Sequence, residues 1–200
     1  MHPRCNMTLY RASPTLGEIG EDFRRVYALA KFNEADGMIR WGDSPDPLML
    51  VWSPRIYEFL HVLERIMTYP PARGICREVG YRSGYDGAVE TARPMGVEAG
   101  QPVNVLLFLP RILGGAGWGV SEVVYDDETG HLEWTFPKGT AVGIAAREVG
   151  PRVAPACAFI EGFGAGWVKG SLGLAVEFLE GSCVGMGNVA CRFDSRPLEE

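Results

Sequence analysis

Three cysteines and a glutamate crowd the last quarter of the chain, and they constrain its fold more than any other feature. Cys183 and Cys191 flank the loop Val-Gly-Met-Gly-Asn-Val-Ala, whose two glycines permit the tight turns of a metal-binding segment. Glu180 stands three residues before Cys183, at the end of a run that reads as a strand over 175–180. In such a strand Val176, Phe178 and Glu180 share one face, so the carboxylate points inward with two apolar side chains. A bare carboxylate there is costly, and a cation is the simplest remedy. Cys157, in the first turns of the preceding predicted helix, completes the set. Zinc accepts thiolates and carboxylates in a tetrahedral site. Three thiolates and one carboxylate close that site and leave no position for an activated water, so the expected zinc is structural. Each cysteine alone would read as a small buried apolar residue; their clustering points to a metal. Cys5 and Cys76 have no such company and read as free thiols.

The rest of the chain has to supply a core. Two hundred residues, 46% hydrophobic and 22% charged, suit one domain or one domain with an N-terminal elaboration. The net charge is −6 and the 19 basic residues are dispersed, which argues against direct binding of nucleic acid or an anionic membrane. No apolar run reaches the length of a membrane span, and MHPRCNMTLYR lacks the layout of a signal peptide. A cytoplasmic protein with reduced cysteines is expected.

Periodicity predicts a helix over 15–32, with Ile19, Phe23, Val26, Tyr27 and Ala30 on one stripe. Residues 1–36 thus form an N-terminal helical segment, serving a dimer interface or packing on its own domain, and residues 37–200 form the main domain. Short strands are expected at 38–41 and 48–52 around an Asp-Ser-Pro-Asp-Pro turn. Ser53 and Pro54 open a helix to about residue 69, stopped by Pro70-Pro71, and a second runs over 72–92. Strands are expected at 103–109, 117–125 and 131–136, the last two joined by a hairpin through Asp126–Gly130. A helix over 151–169 and strands at 175–180 and 190–194 complete the chain. The fold class is α/β (α+β): a mixed sheet with packed helices and a zinc-stabilised C-terminal lobe. One echo stands out. Gly80-Tyr-Arg-Ser-Gly84 and Gly162-Phe-Gly-Ala-Gly166 both place glycines four apart on one helical face, suited to close backbone packing. A duplication and two independent packing needs would both produce it.

The segment from Cys157 to Phe193 resembles the 4-vinyl-reductase domain in its zinc-binding form, found in sensor modules of bacterial phenol- and toluene-responsive activators. The spacing of Cys157, Glu180, Cys183 and Cys191 is similar to that family's zinc site. Gly37-Met-Ile-Arg-Trp41, Gly80-Tyr-Arg-Ser-Gly84 and Glu133-Trp134 extend the likeness upstream, from about Gly37 to Asp194. The resemblance implies an α/β domain that dimerises and binds a small molecule in a buried pocket near the zinc. It implies that Trp134 lines that pocket, its indole N–H available to a ligand oxygen, with Trp167 and Phe178 as aromatic walls. Leu113 falls where the phenol sensors carry a histidine that holds the phenolic hydroxyl. Phenol should then bind at least about tenfold more weakly than in those sensors, and less polar rings should be preferred. Glu161, four residues after Cys157, faces the zinc side of the predicted helix, where the family tends to be apolar. It reads as reaching solvent at the helix edge or as a buried acid that would attract an amine.

The expected function is a zinc-containing, sensor-type domain that binds a small hydrophobic or aromatic molecule as a homodimer. No phosphate-cradling glycine loop with Lys-Ser/Thr and no DNA-binding element are recognisable, so action alone or through a partner is expected. The alternative is an enzyme or accessory factor of a biosynthetic pathway, such as the tetrapyrrole pathways with which stand-alone members of the family are associated. Gly114–Gly119 is glycine-rich but lacks the strand-turn-helix setting of a dinucleotide site. Glu161 and Glu148 are the only catalytic acids worth testing. A third reading is an interaction protein whose pocket is filled by its own side chains.

Overall fold

The computed structural model describes residues 9–28, 30–33, 38–41, 47–48, 53–92 and 102–198. Its main sheet is antiparallel throughout, in the order β1 (Leu9–Ala12), β5 (Glu122–Asp126), β6 (His131–Phe136), β8 (Cys191–Pro197), β7 (Val176–Ser182). A second antiparallel sheet joins β2 (Ala30–Asn33), β3 (Met38–Trp41) and β4 (Pro47–Leu48). The helices are α1 (Leu16–Ala28), α2 (Ser53–Met67), α3 (Tyr69–Ala92), α4 (Pro102–Gly115), α5 (Ala141–Val149) and α6 (Ala158–Leu172). The α+β class is the one expected. None of the helices among the described residues is long and apolar enough to cross a membrane.

The two glycine faces meet each other. A Cβ on Gly80 or Gly84 would lie 2.1 or 2.0 Å from the carbonyl oxygens of Phe159 and Phe163 on α6. One on Gly162 or Gly166 would lie 1.9 Å from the carbonyls of Arg77 and Tyr81 on α3. These helices therefore pack backbone on backbone, a separation that only glycine allows. Burial alternates strictly along β6. Leu132, Trp134 and Phe136 face the helices, while His131 and Glu133 face outward.

Several elements depart from expectation. The helix predicted over 15–32 ends at Ala28, and residues 30–33 pair as a strand. Its start is a capping box: Thr15 Oγ1 accepts the Glu18 N–H, and the Glu18 carboxylate accepts the Thr15 N–H. Ile19 is buried against Gly114, so α1 packs on α4 of its own chain at that point. Upstream of it, β1 is one of the two edge strands of the main sheet. Residues 49–52 of the predicted second strand lie outside the described residues, as does Cys5. Pro70-Pro71 do not stop α2. The break falls at Thr68, whose φ of 72° is left-handed, and the prolines occupy the first turn of α3, where a missing N–H costs nothing.

The apolar run over 103–109, expected as a strand, belongs to α4. Leu106, Leu109 and Leu113 are almost wholly buried and fall on one helical face. Both edges of β5 are already taken, by β1 and β6, so the sheet has no place for another strand there. The helix predicted over 151–169 begins only at Ala158. An unpredicted helix, α5, precedes it, capped by Thr140, whose hydroxyl accepts the Gly143 N–H at 2.9 Å.

Candidate metal centre

Cys157, Glu180, Cys183 and Cys191 converge at the end of the sheet, all buried, with their ligand atoms within 4.8 Å of one another. They come from three pieces of backbone. Cys157 is the N-cap residue of α6, Glu180 and Cys183 flank the end of β7, and Cys191 opens β8. Residues three apart on a regular strand face opposite sides. Here a bulge at Gly181 inserts one residue against β8, so Glu180 and Cys183 both turn inward. Gly143 of α5 presses on the site. A Cβ there would sit 3.0 Å from Cys191 Sγ and 2.9 Å from Val184.

The geometry fits a tetrahedral cation. Cys157 Sγ lies 3.9 Å from both Cys183 Sγ and Cys191 Sγ. Zinc–sulfur bonds of about 2.3 Å at tetrahedral angles place sulfurs about 3.8 Å apart, whereas a disulfide requires about 2.05 Å. Glu180 Oε2 accepts the Cys157 N–H at 3.0 Å, while Oε1 is buried without a hydrogen-bond partner. An orphaned carboxylate oxygen among three thiols is what a cation would satisfy. Without a cation, burial and the neighbouring Cys183 push Glu180 up to about 9, and burial drives the Cys157 thiol well above its ordinary value. Hydrogen bonds from Cys157 and Cys183 draw Cys191 down to about 4.

Surrounding groups hold the ligands in place, as outer partners of metal sites do. Thr140 Oγ1 lies 3.0 Å from Cys157 Sγ, Asn188 Oδ1 accepts the Cys183 N–H, and the Val184 N–H donates to Cys191 Sγ. Sequence reading missed Thr140 and Asn188; the Thr-x-x-Gly start of α5 and an Asn in a glycine-rich loop were the available signals. It also missed Arg73. Glu161 does not reach solvent: it is wholly buried, bound by two nitrogens of Arg73, and accepts the Glu180 N–H at 2.6 Å. Arg73 thus supplies the positive charge this acid needs, and an amine ligand has no claim on it. Glu148 is exposed near the end of α5. Neither acid is arranged as a free general base. Cys76 is buried apart from the cluster, and burial pushes its thiol up to about 11.

The aromatic residues named from sequence are all in the core. Trp134 is tilted against Phe136 and Phe193 and meets Phe178 edge-on at 6.2 Å. Its indole N–H is buried with no partner. The Trp167 N–H, by contrast, donates to the Val105 carbonyl at 3.0 Å, which a strand at 103–109 would not have placed there. Leu113 is buried on α4. Two surface depressions, one between Tyr57 and Val153 and one between Gly74 and Leu198, are lined by other residues.

No protein-family model matches the chain, and no curated protein sequence matches it. Solved structures do. The crystal structure of the phenol-responsive sensory domain of the transcription activator PoxR with phenol matches with a TM-score of 0.73 and 23% identity, over 91% of each chain. A trafficking protein particle complex subunit 3 from Naegleria fowleri, covalently bound to palmitic acid, matches with a TM-score of 0.55 and 13% identity, over 74% of this chain and 95% of that one. A vinyl-4-reductase family protein from Methanocaldococcus jannaschii has a TM-score of 0.42 at 15% identity, over 76% and 98%. The fold is therefore that of the phenol-responsive sensory domain, in line with the resemblance drawn from sequence.

Proposed function

We propose that this chain is a sensor-type domain that holds one structural zinc and encloses a small, mostly apolar molecule beside Trp134. The observation that carries the reading is the Trp134 indole N–H, a donor buried among aromatic rings with nothing to donate to. Leaving such a group unpaired costs on the order of 1–3 kcal/mol, which a ligand oxygen would recover. The neighbouring folds support the apolar character: one structure carries phenol and another a palmitoyl chain. Trp134 is wholly buried, so a ligand beside it would be enclosed rather than surface-bound.

Thermal-shift screening with matched phenols, alkylbenzenes and aromatic amines tests this. Aromatics should raise the melting temperature, and Trp134→Phe should weaken oxygen-bearing ligands about tenfold while sparing the hydrocarbons. If no aromatic shifts the melting point, the ligand-binding reading fails.

A cytoplasmic homodimer belongs to the same reading. Phe59, Val62 and Ile66 are exposed along one stripe of α2, an apolar face that a second copy would cover. Light scattering at micromolar concentration should report twice 21.9 kDa, and a concentration-independent monomer would exclude it.

A further inference from the structure

Beside Trp134 lies a second buried polar group that no protein atom satisfies. Ser121 is 1% exposed, and its hydroxyl has no hydrogen-bond partner. It immediately precedes β5, where Val123 is paired directly with Trp134. Side chains two residues apart on an extended strand share a face. Ser121 and Val123 are both buried while Glu122 between them is partly exposed, so Ser121 stands on Trp134's face as its diagonal cross-strand neighbour. Such diagonal pairs are about 7–8 Å apart at the backbone, within reach of a long aromatic side chain. Trp134 Cζ3, on the benzene ring far from Nε1, is the atom that a Cβ on Gly164 would meet, so the N–H edge points away from α6.

We infer that Ser121 is a second polar anchor of the Trp134 site, and that the two together select a ligand carrying one terminal oxygen. This rests on the reading of Trp134 as a ligand contact. The indole can only donate, whereas a serine hydroxyl donates or accepts. A ligand hydroxyl therefore satisfies both: it accepts from Trp134 and exchanges a hydrogen bond with Ser121. A hydrocarbon leaves both unpaired. An aromatic amine offers the indole only a poor acceptor, and of the buried acids Glu161 is already held by Arg73 while Glu180 belongs to the cysteine cluster. Ser121 would thus compensate for the apolar Leu113, and an oxygen-bearing ring would be favoured over a bare one.

Calorimetric titration with phenol, aniline and toluene tests the inference on wild type, Ser121→Ala and Ser121→Cys. Wild type should bind phenol most tightly. Both variants should weaken phenol about tenfold and change toluene less than about twofold, closing the gap between them. Cysteine keeps the volume of the site with a weak hydrogen-bonding group, so agreement between the variants excludes a packing effect. Equal losses for phenol and toluene, or unchanged phenol binding in either variant, would overturn the role of Ser121 and leave the site at Trp134 standing. Binding of none of the three probes to wild type would overturn both.

Discussion

Cys183→Ser should accumulate as insoluble or unfolded protein, and elemental analysis of wild type should find about one zinc per chain, since Cys157, Glu180, Cys183 and Cys191 lie close enough to hold one ion. Binding of structural zinc to folding-coupled sites is worth on the order of 10–16 kcal/mol, as large as the whole stability of most domains. The cluster also joins β7, β8 and the start of α6, so its loss releases three elements together. Acid should act in the same direction. In the metal-free site Glu180 holds its proton up to about 9, and Cys157 holds its own beyond its ordinary range. A cation must displace both protons, so binding strengthens as pH rises toward 9 and weakens as it falls. Each displaced proton should cost about tenfold in apparent affinity per pH unit, read by competition with a chromophoric chelator at pH 6, 7 and about 8. A wild type that is soluble, cooperatively folded and free of metal would refute the assignment.

Gly162→Ala should be among the most damaging one-carbon changes at the described residues. Its Cβ would lie 1.9 Å from the Arg77 carbonyl oxygen, and the obstacle is backbone on both sides, so no rotamer can relieve it. The helices must separate, at a cost of about 3 kcal/mol or more, the upper range for overpacked cores. Gly74→Ala is the control. It lies on the exposed side of α3, and a Cβ there would meet nothing within 4 Å. It should stabilise by about 0.5–1 kcal/mol through helix propensity. Denaturant unfolding with zinc saturating in both samples would measure the difference. If the two alanines behave alike, α3 and α6 do not meet as described.

What could be read from one-dimensional information was whatever local periodicity or local chemistry encodes. The strand face of Val176, Phe178 and Glu180 is a period of two. The glycine faces of α3 and α6 are a period of four. The Asp126–Gly130 hairpin is turn chemistry within five residues. The four residues of the candidate metal site were legible because thiols and an inward carboxylate have few reasons to cluster. Even so, spacing did not reveal the bulge at Gly181 that lets Glu180 and Cys183 face one point.

Tertiary structure decided the rest, because it depends on which partners arrive from far along the chain. The apolar run in α4 suits a buried strand or a buried helix equally, and only the occupied edges of β5 choose between them. Glu161 reads as a solvent-seeking acid until Arg73, 88 residues away, is brought against it. The N–H groups of Trp134 and Trp167 are the same group in sequence. One is taken by the Val105 carbonyl and the other is left unpaired, since the backbone that folds beside each ring differs. A buried polar group is defined by what it lacks as much as by what it is, and that lack exists only once the chain has closed around it.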